Sequence, residues 1–154
     1  MYGQDHKYFE DVEIGDTWES PPRSISQEDI KTFAHLTGDF NPIHLNADYA
    51  ATTPFGQTIA HGLLTLARSS GMSIDHPKMR TIAVISLNNV KFHLPVFPGD
   101  VLRVKTSIVG KERRGRGKRG LITWHRVVLN QHDKTVQEGE SVTLVEAREF
   151  PERK

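Results

Sequence analysis

The sequence predicts an α+β fold in which an antiparallel β-sheet curls around one central buried α-helix. Two features carry that expectation. Helical patterning is confined to the first half, in "SISQEDIKTFAHLTG" and "HGLLTLARSSGMSIDHP", whereas the chain after Pro77 reads as four β-branched runs with no helix between them. Consecutive strands without crossover helices favour antiparallel pairing. The second helical stretch has apolar and small residues all round and no clear polar face, which predicts burial on every side.

The elements follow in order. Ser26 is placed to cap the first helix, Ile30, Phe33 and Ala34 fall at i, i+3 and i+4, and Gly38 stops it. "LNADYAATTPFG" reads as a short helical turn closed by Pro54 and Gly56. The strands are "TIAVISLNNVKFHLPV", "DVLRVKTSIVGKE", "GLITWHRVVLNQ" and "TVQEGESVTLVEAR". They are broken at Pro98-Gly99-Asp100, at the Gly-rich basic stretch from Gly110 to Gly120, and at His132-Asp133-Lys134.

Length and charge narrow the function classes. At 154 residues and 36% hydrophobic, with no repeat or linker, residues 1–154 are expected to form a single domain. A net charge of +1, from 20 Lys and Arg against 19 Asp and Glu, gives no overall field toward nucleic acid or an anionic membrane. The absence of cysteine rules out disulfides and thiolate metal sites and agrees with a reducing compartment. No stretch reads as a signal peptide, and no apolar run approaches the roughly 20 residues needed to cross a bilayer. The expectation is a soluble, cytoplasmic protein.

Two stretches carry chemistry. In "TGDFNPIHLN", Asp39 and His44 lie five positions apart across an Asn-Pro step. One reading is turn punctuation, in which Gly38 supplies positive φ, Asp39 and Asn41 bond nearby backbone, and Pro42 prevents the helix from resuming. The other is a stiff loop on which a carboxylate and an imidazole converge on one water molecule, the imidazole poised to take or give a proton. In "GQTIAHGLLTLA", His61 and Gly62 open the second helix, where unpaired N–H groups favour developing negative charge. Gly62 would let a carbonyl oxygen approach its N–H; close helix-on-sheet packing explains it equally well.

Together, "FAHLTGDFNPIHLNADYA" and "AHGLLTLARSS" resemble the MaoC-like dehydratases, or R-specific (type 2) enoyl-CoA hydratases, which have the hotdog fold. The family signature is met at Phe33, Thr37, Gly38, Asp39, Asn41, Pro42, Ile43, His44 and Ala50; "YFEDVEIGD" and "VKFHLPVFPGD" also look like this family. The resemblance implies syn hydration of a trans-2-enoyl thioester to the (3R)-3-hydroxyacyl thioester, or the reverse dehydration. Asp39 and His44 match the catalytic pair and Gly62 the backbone oxyanion donor. By the same resemblance Asn41, His61 and Ser70 lie near the substrate, although Asn41 could merely cap the turn and Ser70 merely pack a helix. No metal or redox cofactor is implied; coenzyme A or the phosphopantetheine of an acyl carrier protein is the substrate's handle. The relatives' habit of pairing through their sheets implies a homodimer or an assembly of dimers.

The remaining signals are weaker. The histidines from His35 to His132 are scattered, with no two at the i, i+4 spacing of a helical zinc site. "GRGKRG" is a literal G-x-G-x-x-G, but a strand pattern follows it where a dinucleotide site needs a helix. The basic stretch reads as a solvated hairpin loop, or as a set of cations (Lys111, Arg113, Arg114, Arg116, Lys118, Arg119) for coenzyme A phosphates or an acidic carrier protein. It lacks the interleaved aromatics of a nucleic-acid surface. Two rival functions remain, a hotdog acyl-CoA thioesterase and a non-catalytic acyl-thioester-binding subunit. Against the first, "GLLTLARSSGM" has no Asp or Glu; against the second, Asp39 and His44 are both present.

Overall fold

A computed structural model describes residues 3–148; the first two and last six residues of the 1–154 span lie outside the described residues, as does the side chain of Arg116. Helices α1 (Gln27–Thr37), α2 (Pro42–Leu45), α3 (Ala47–Ala51) and α4 (Gly62–Met72) precede the long strands. The strands are β1 (Thr17–Glu19), β2 (Arg23–Ser24), β3 (Thr81–Phe92), β4 (Val101–Arg114), β5 (Arg119–Leu129) and β6 (Thr135–Glu146).

Helix α1 has the expected ends. Ser26 Oγ accepts the Asp29 N–H at 3.0 Å while the Asp29 carboxylate accepts the Ser26 N–H at 2.8 Å, a reciprocal cap. Gly38 takes φ 78° and its N–H reaches the Ala34 carbonyl, a left-handed cap that suits glycine. Pro42 does the opposite of what the sequence suggested. It starts α2 instead of blocking a helix, because the first helical position needs no N–H and favours proline's fixed φ. His44 therefore sits in a one-turn helix and not on a loop.

The sheet is antiparallel, in the order β1-β4-β5-β6-β3, with β2 also pairing with β4. It is open: β1 and β3 are its two edges and do not meet. The expectation of a sheet curled around the helix is thus overturned, and the geometry gives the reason. Five neighbouring strands about 4.8 Å apart make a sheet about 24 Å wide, whereas enclosing a helix at a packing distance of about 10 Å needs a perimeter of about 60 Å. Nor is α4 buried all round. Leu64, Thr65 and Ser69 face inward, while Leu63 keeps 63% of its surface exposed.

One apolar cluster forms where α4 and α1 meet the sheet, around Ile30, Leu64, Leu102, Val104 and Val128. A second, built on Ile108, Ile122 and Trp124, is covered by Phe9 and Val12 of the N-terminal segment. Arg126 lies between Trp124 and Val128 on the inward-facing alternation of β5, and donates to Ser141 Oγ. Burial pushes its guanidinium down to about 10.

The basic stretch forms the end of β4, the start of β5 and the short turn between them at residues 115–118, so it is not simply a loop, and two of its strand cations serve the fold. Lys111 donates to the Val12 carbonyl and lies 4.5 Å above the Phe9 ring, and Arg113 pairs with Glu10. Their contacts tie down the N-terminal segment, which accounts for them without any phosphate ligand.

Gly120 makes this packing possible, since a methyl group there would overlap the Phe9 ring. The Gly120→Ala protein should be less stable by about 1–3 kcal/mol, seen as a lower urea midpoint at unchanged slope. Adding Phe9→Leu should restore part of the loss; an unchanged midpoint in the single variant would contradict this packing.

Candidate active site

The turn after α1 is held by a relay of short-range bonds. The Asp39 N–H donates to Thr37 Oγ1 at 3.3 Å, the Asn41 N–H to Asp39 Oδ1 at 3.2 Å, and the Ile43 N–H to Asn41 Oδ1 at 3.1 Å. Each bond joins residues two apart, which lets Asp39 and Asn41 set their own backbone turn. Asn41 thus caps α2 with its side chain and steadies the Asp39 carboxylate with its backbone. That carboxylate is half exposed, at 53%.

His44 is fixed from two directions. Its Nδ1 donates to the Ile59 carbonyl at 2.7 Å; a carbonyl only accepts, so in the neutral ring Nδ1 carries the proton and Nε2 is bare. Its own carbonyl accepts from Gln27 Nε2 at 3.2 Å, while Gln27 Oε1 accepts from Thr58 Oγ1 at 3.0 Å. One side chain from the first turn of α1 therefore links α2 to the segment before α4. That segment is also tied to α2 by the Ile59 N–H to Ile43 carbonyl bond of 3.2 Å, and to the Val96 carbonyl, in the connection between β3 and β4, by the Ala60 N–H at 2.7 Å.

His61 completes the cluster. Only 3% exposed, its ring stacks on that of His44 at 3.8 Å and 27°, and Phe33 packs against it at 5.1 Å. Its Nε2 donates to the Asp39 carbonyl at 3.0 Å and lies 4.0 Å from Asp39 Oδ2, while its buried Nδ1 has no partner among the described residues. Burial holds the His44 pKa below its ordinary 6.5; the adjacent His61 acts in the same direction, and the Ile59 carbonyl and the Asp39 carboxylate oppose it. The neutral ring, with its bare Nε2, is the favoured form.

Gly62 follows as the first residue of α4, where its N–H has no partner within the helix. It borders a cleft of about 420 Å³ with Phe55, Ile59, Phe92 and Val136. An added Cβ would come within 2.9 Å of the Phe92 ring, so close packing and an approachable N–H are both served by the missing side chain. Of the candidates, Asp39, Asn41, His44, His61 and Gly62 are gathered in one place. Ser70 is not among them: it lies two turns along α4, about 12 Å from Gly62 at 1.5 Å per residue. There it lines a separate cavity of about 360 Å³ with Leu66, Arg126 and Ser141.

The histidines are less scattered in space than in sequence. One donor atom from each of Asp39, His44 and His61 lies within 4.8 Å of the others, a set that could hold a metal ion. His61 Nε2 is already committed to the Asp39 carbonyl, so ligation through that atom would break the bond and leave a protonated, buried Nδ1 without an acceptor. No spacing rule pairs residues 44 and 61. The only hint in the sequence was that each stands in a stretch suited to chemistry.

A family model, the MaoC like domain, matches residues 10–128, well over half the chain. This chain belongs to the MaoC-like dehydratase family. The 3-hydroxybutyryl-CoA dehydratase of Methylorubrum extorquens is 42% identical over 115 residues, 71% of the MaoC-like chain and 70% of its own length. The (R)-specific enoyl-CoA hydratase of Rhodospirillum rubrum is 35% identical over 144 residues, covering 92% and 93% of the two chains. Among solved structures, a protein from Archaeoglobus fulgidus named a monoamine oxidase regulatory protein superposes with a TM-score of 0.86 at 33% identity, covering 98% of this MaoC-like chain and all of its own. The hotdog fold is that of the family, here as an open sheet with α4 against one face.

His44 should titrate below 6.5 when its ring protons are followed by NMR across the acid range. Because the folded ring is harder to protonate than the unfolded one, the stability this adds is full above 6.5 and is lost as pH falls through the folded value. A midpoint at or above 6.5 would contradict the burial and stacking described.

Proposed function

We propose that this chain is an (R)-specific enoyl-CoA hydratase and 3-hydroxyacyl thioester dehydratase, adding water reversibly and syn to trans-2-enoyl thioesters. One observation carries the reading. A carboxylate oxygen of Asp39 and a ring nitrogen of His44 lie within 4.8 Å of each other, a gap that one water making two hydrogen bonds of about 2.8 Å spans. The names of the two curated relatives support the same chemistry.

In the hydration direction Asp39 and His44 Nε2 bind the water and take one proton as its oxygen bonds to C3. The C2–C3 electron pair moves toward the thioester, and the charge collects on the carbonyl oxygen. The Gly62 N–H at the α4 terminus stabilises that enolate, a contribution of about 2.7–4 kcal/mol for a typical donor. Collapse of the enolate then takes a proton back from the dyad at C2, leaving the (3R)-hydroxyl and a restored acid and base. No step calls for a metal or redox group; coenzyme A or an acyl carrier is the handle. Asn41 orients the carboxylate, and Ser70, in its separate cavity, is given no part in the step.

Two copies pairing along β3 would cover Ile82, Val84, Ile85, Leu87 and Phe92, which are all exposed on that edge strand. A single cytoplasmic domain is the matching assignment. Among the described residues no helix is long and apolar enough to cross a membrane, and the near-neutral charge favours neither nucleic acid nor lipid.

Incubation with crotonyl-CoA tests the reading: enoyl absorbance should fall without release of free thiol, and chiral analysis should give the (3R) product. Free thiol would mean a thioesterase, and no change across a panel of chain lengths a binding subunit. Asp39→Asn and His44→Ala should each lower kcat by at least about a hundredfold with the thermal midpoint retained. The acid limb of kcat/KM should fall below 6.5, because protonating His44 removes the base and its pKa is lowered.

A further inference from the structure

The geometry points to His61 as the positioning residue that couples the two halves of the dyad, holding the Asp39 backbone through Nε2 and backing the His44 ring with its face. The inference rests on the hydratase reading and goes beyond it by giving His61 a role other than substrate contact. A ring 3% exposed has almost no surface to offer a thioester. What it does touch is the machinery: the Asp39 carbonyl at 3.0 Å and the His44 ring at 3.8 Å.

The two contacts constrain different freedoms. Asp39 lies in a turn whose other bonds run to Thr37 and Asn41, each two residues away. Such local bonds shape the turn but do not fix it against the rest of the molecule. His61 Nε2 reaches across 22 positions to do so, and it belongs to the residue that caps α4. His44 is pinned at Nδ1 by the Ile59 carbonyl, which leaves rotation about that bond; the stacked ring of His61 blocks it. A carboxylate oxygen of Asp39 and a ring nitrogen of His44 are thereby held within 4.8 Å of each other, and both are referred to the helix end that carries Gly62.

The tautomer is part of the device. A carbonyl partner requires a proton on Nε2, and the buried Nδ1 has no acceptor that would favour a second. In the neutral ring Nε2 therefore carries the proton, and His61 serves the Asp39 carbonyl as a donor. Its ring and its N–H act separately, so they can be removed separately.

His61→Phe keeps a stacking ring and removes the donor; His61→Gln removes the ring and keeps an N–H that can reach the Asp39 carbonyl. In crotonyl-CoA kinetics His61→Phe should lower kcat by about 10- to 100-fold, the scale of small misplacements of reacting groups, with KM changed less than about threefold. His61→Gln should recover part of that loss. Wild-type kcat in His61→Phe, or a raised KM at unchanged kcat in either variant, would overturn the assignment. Nitrogen-15 NMR of the unaltered protein gives a readout independent of turnover. The neutral His61 ring should show a protonated Nε2 and a bare Nδ1, and the opposite tautomer would overturn the clamp even in an active enzyme. If the unaltered protein hydrates no enoyl thioester, the hydratase reading falls while the tautomer still reports on the clamp.

Discussion

Two imidazoles face to face at 3.8 Å form the contact on which the site depends, and it favours an uncharged His44 ring. A second proton on either ring would set a cation against its neighbour in a partly desolvated place. The positive end of the α4 dipole, immediately after His61, would add to the penalty. Burial favours the neutral ring at His44, against the pull of the Ile59 carbonyl, and two backbone carbonyls set which nitrogen of each ring carries the proton. Ile59 takes the Nδ1 proton of His44 and Asp39 takes the Nε2 proton of His61. The acceptors lock opposite tautomers and point the bare nitrogen of His44 away from Ile59. The carboxylate that could favour a charged ring is kept half in solvent, where its pull is weakened.

Those carbonyls are useful only if the segments that carry them cannot drift. Gln27 reaches from the capped start of α1 to both the His44 backbone and Thr58, and the Ala60 to Val96 bond joins the same segment to the chain after β3. Leu64 and Ile30, in one apolar cluster with Leu102 and Val104 of β4, seat α4 and α1 on the sheet. Positional order thus passes from long paired strands to two helices and then to three polar side chains. The far end of the sheet follows a different plan, in which Lys111 and Arg113 fasten Phe9, Glu10 and Val12 over Trp124. Arg126 divides the two regions with a half-buried cation.

Much of this was legible in the residues themselves. Ser26 and Gly38 bound α1 as their chemistry requires, and all four long strands lie where β-branched residues concentrate between turn residues. The signature from Phe33 to Ala50 pointed to the dyad, and Gly62 to a helix start. What could not be read depends on distance in space. Strands of three and two residues are too short to show alternation, so β1 and β2 left no pattern. Pro42 can end one helix or begin the next, and the Asn41 cap that decides between them is visible only in the structure. The stack of residues 44 and 61 obeys no local period, and the charges of Lys111 and Arg113 read as a solvated loop or a set of ligand cations because their partners lie about a hundred positions earlier. Closure of the sheet is a global property of strand number, which runs of Val and Ile do not report.

The open edge and the exposed side of α4 belong together. Val84 and Leu87 of β3 line the same cavity as Leu66 and Ala67 of α4, so the least covered strand and the least covered helix face border one apolar space. A monomer leaving Ile82, Val84, Ile85, Leu87 and Leu63 in water forgoes about 25 cal/mol for each Å² that a cover would bury. It also leaves the N–H groups of a twelve-residue edge strand available for pairing. The proposed pairing along β3 would satisfy the strand and cover those apolar residues in one step, and the helix that a single sheet is too narrow to enclose would then be flanked by a wider one. In the single chain α4 is covered on one face only, where Leu64, Thr65 and Ser69 turn inward.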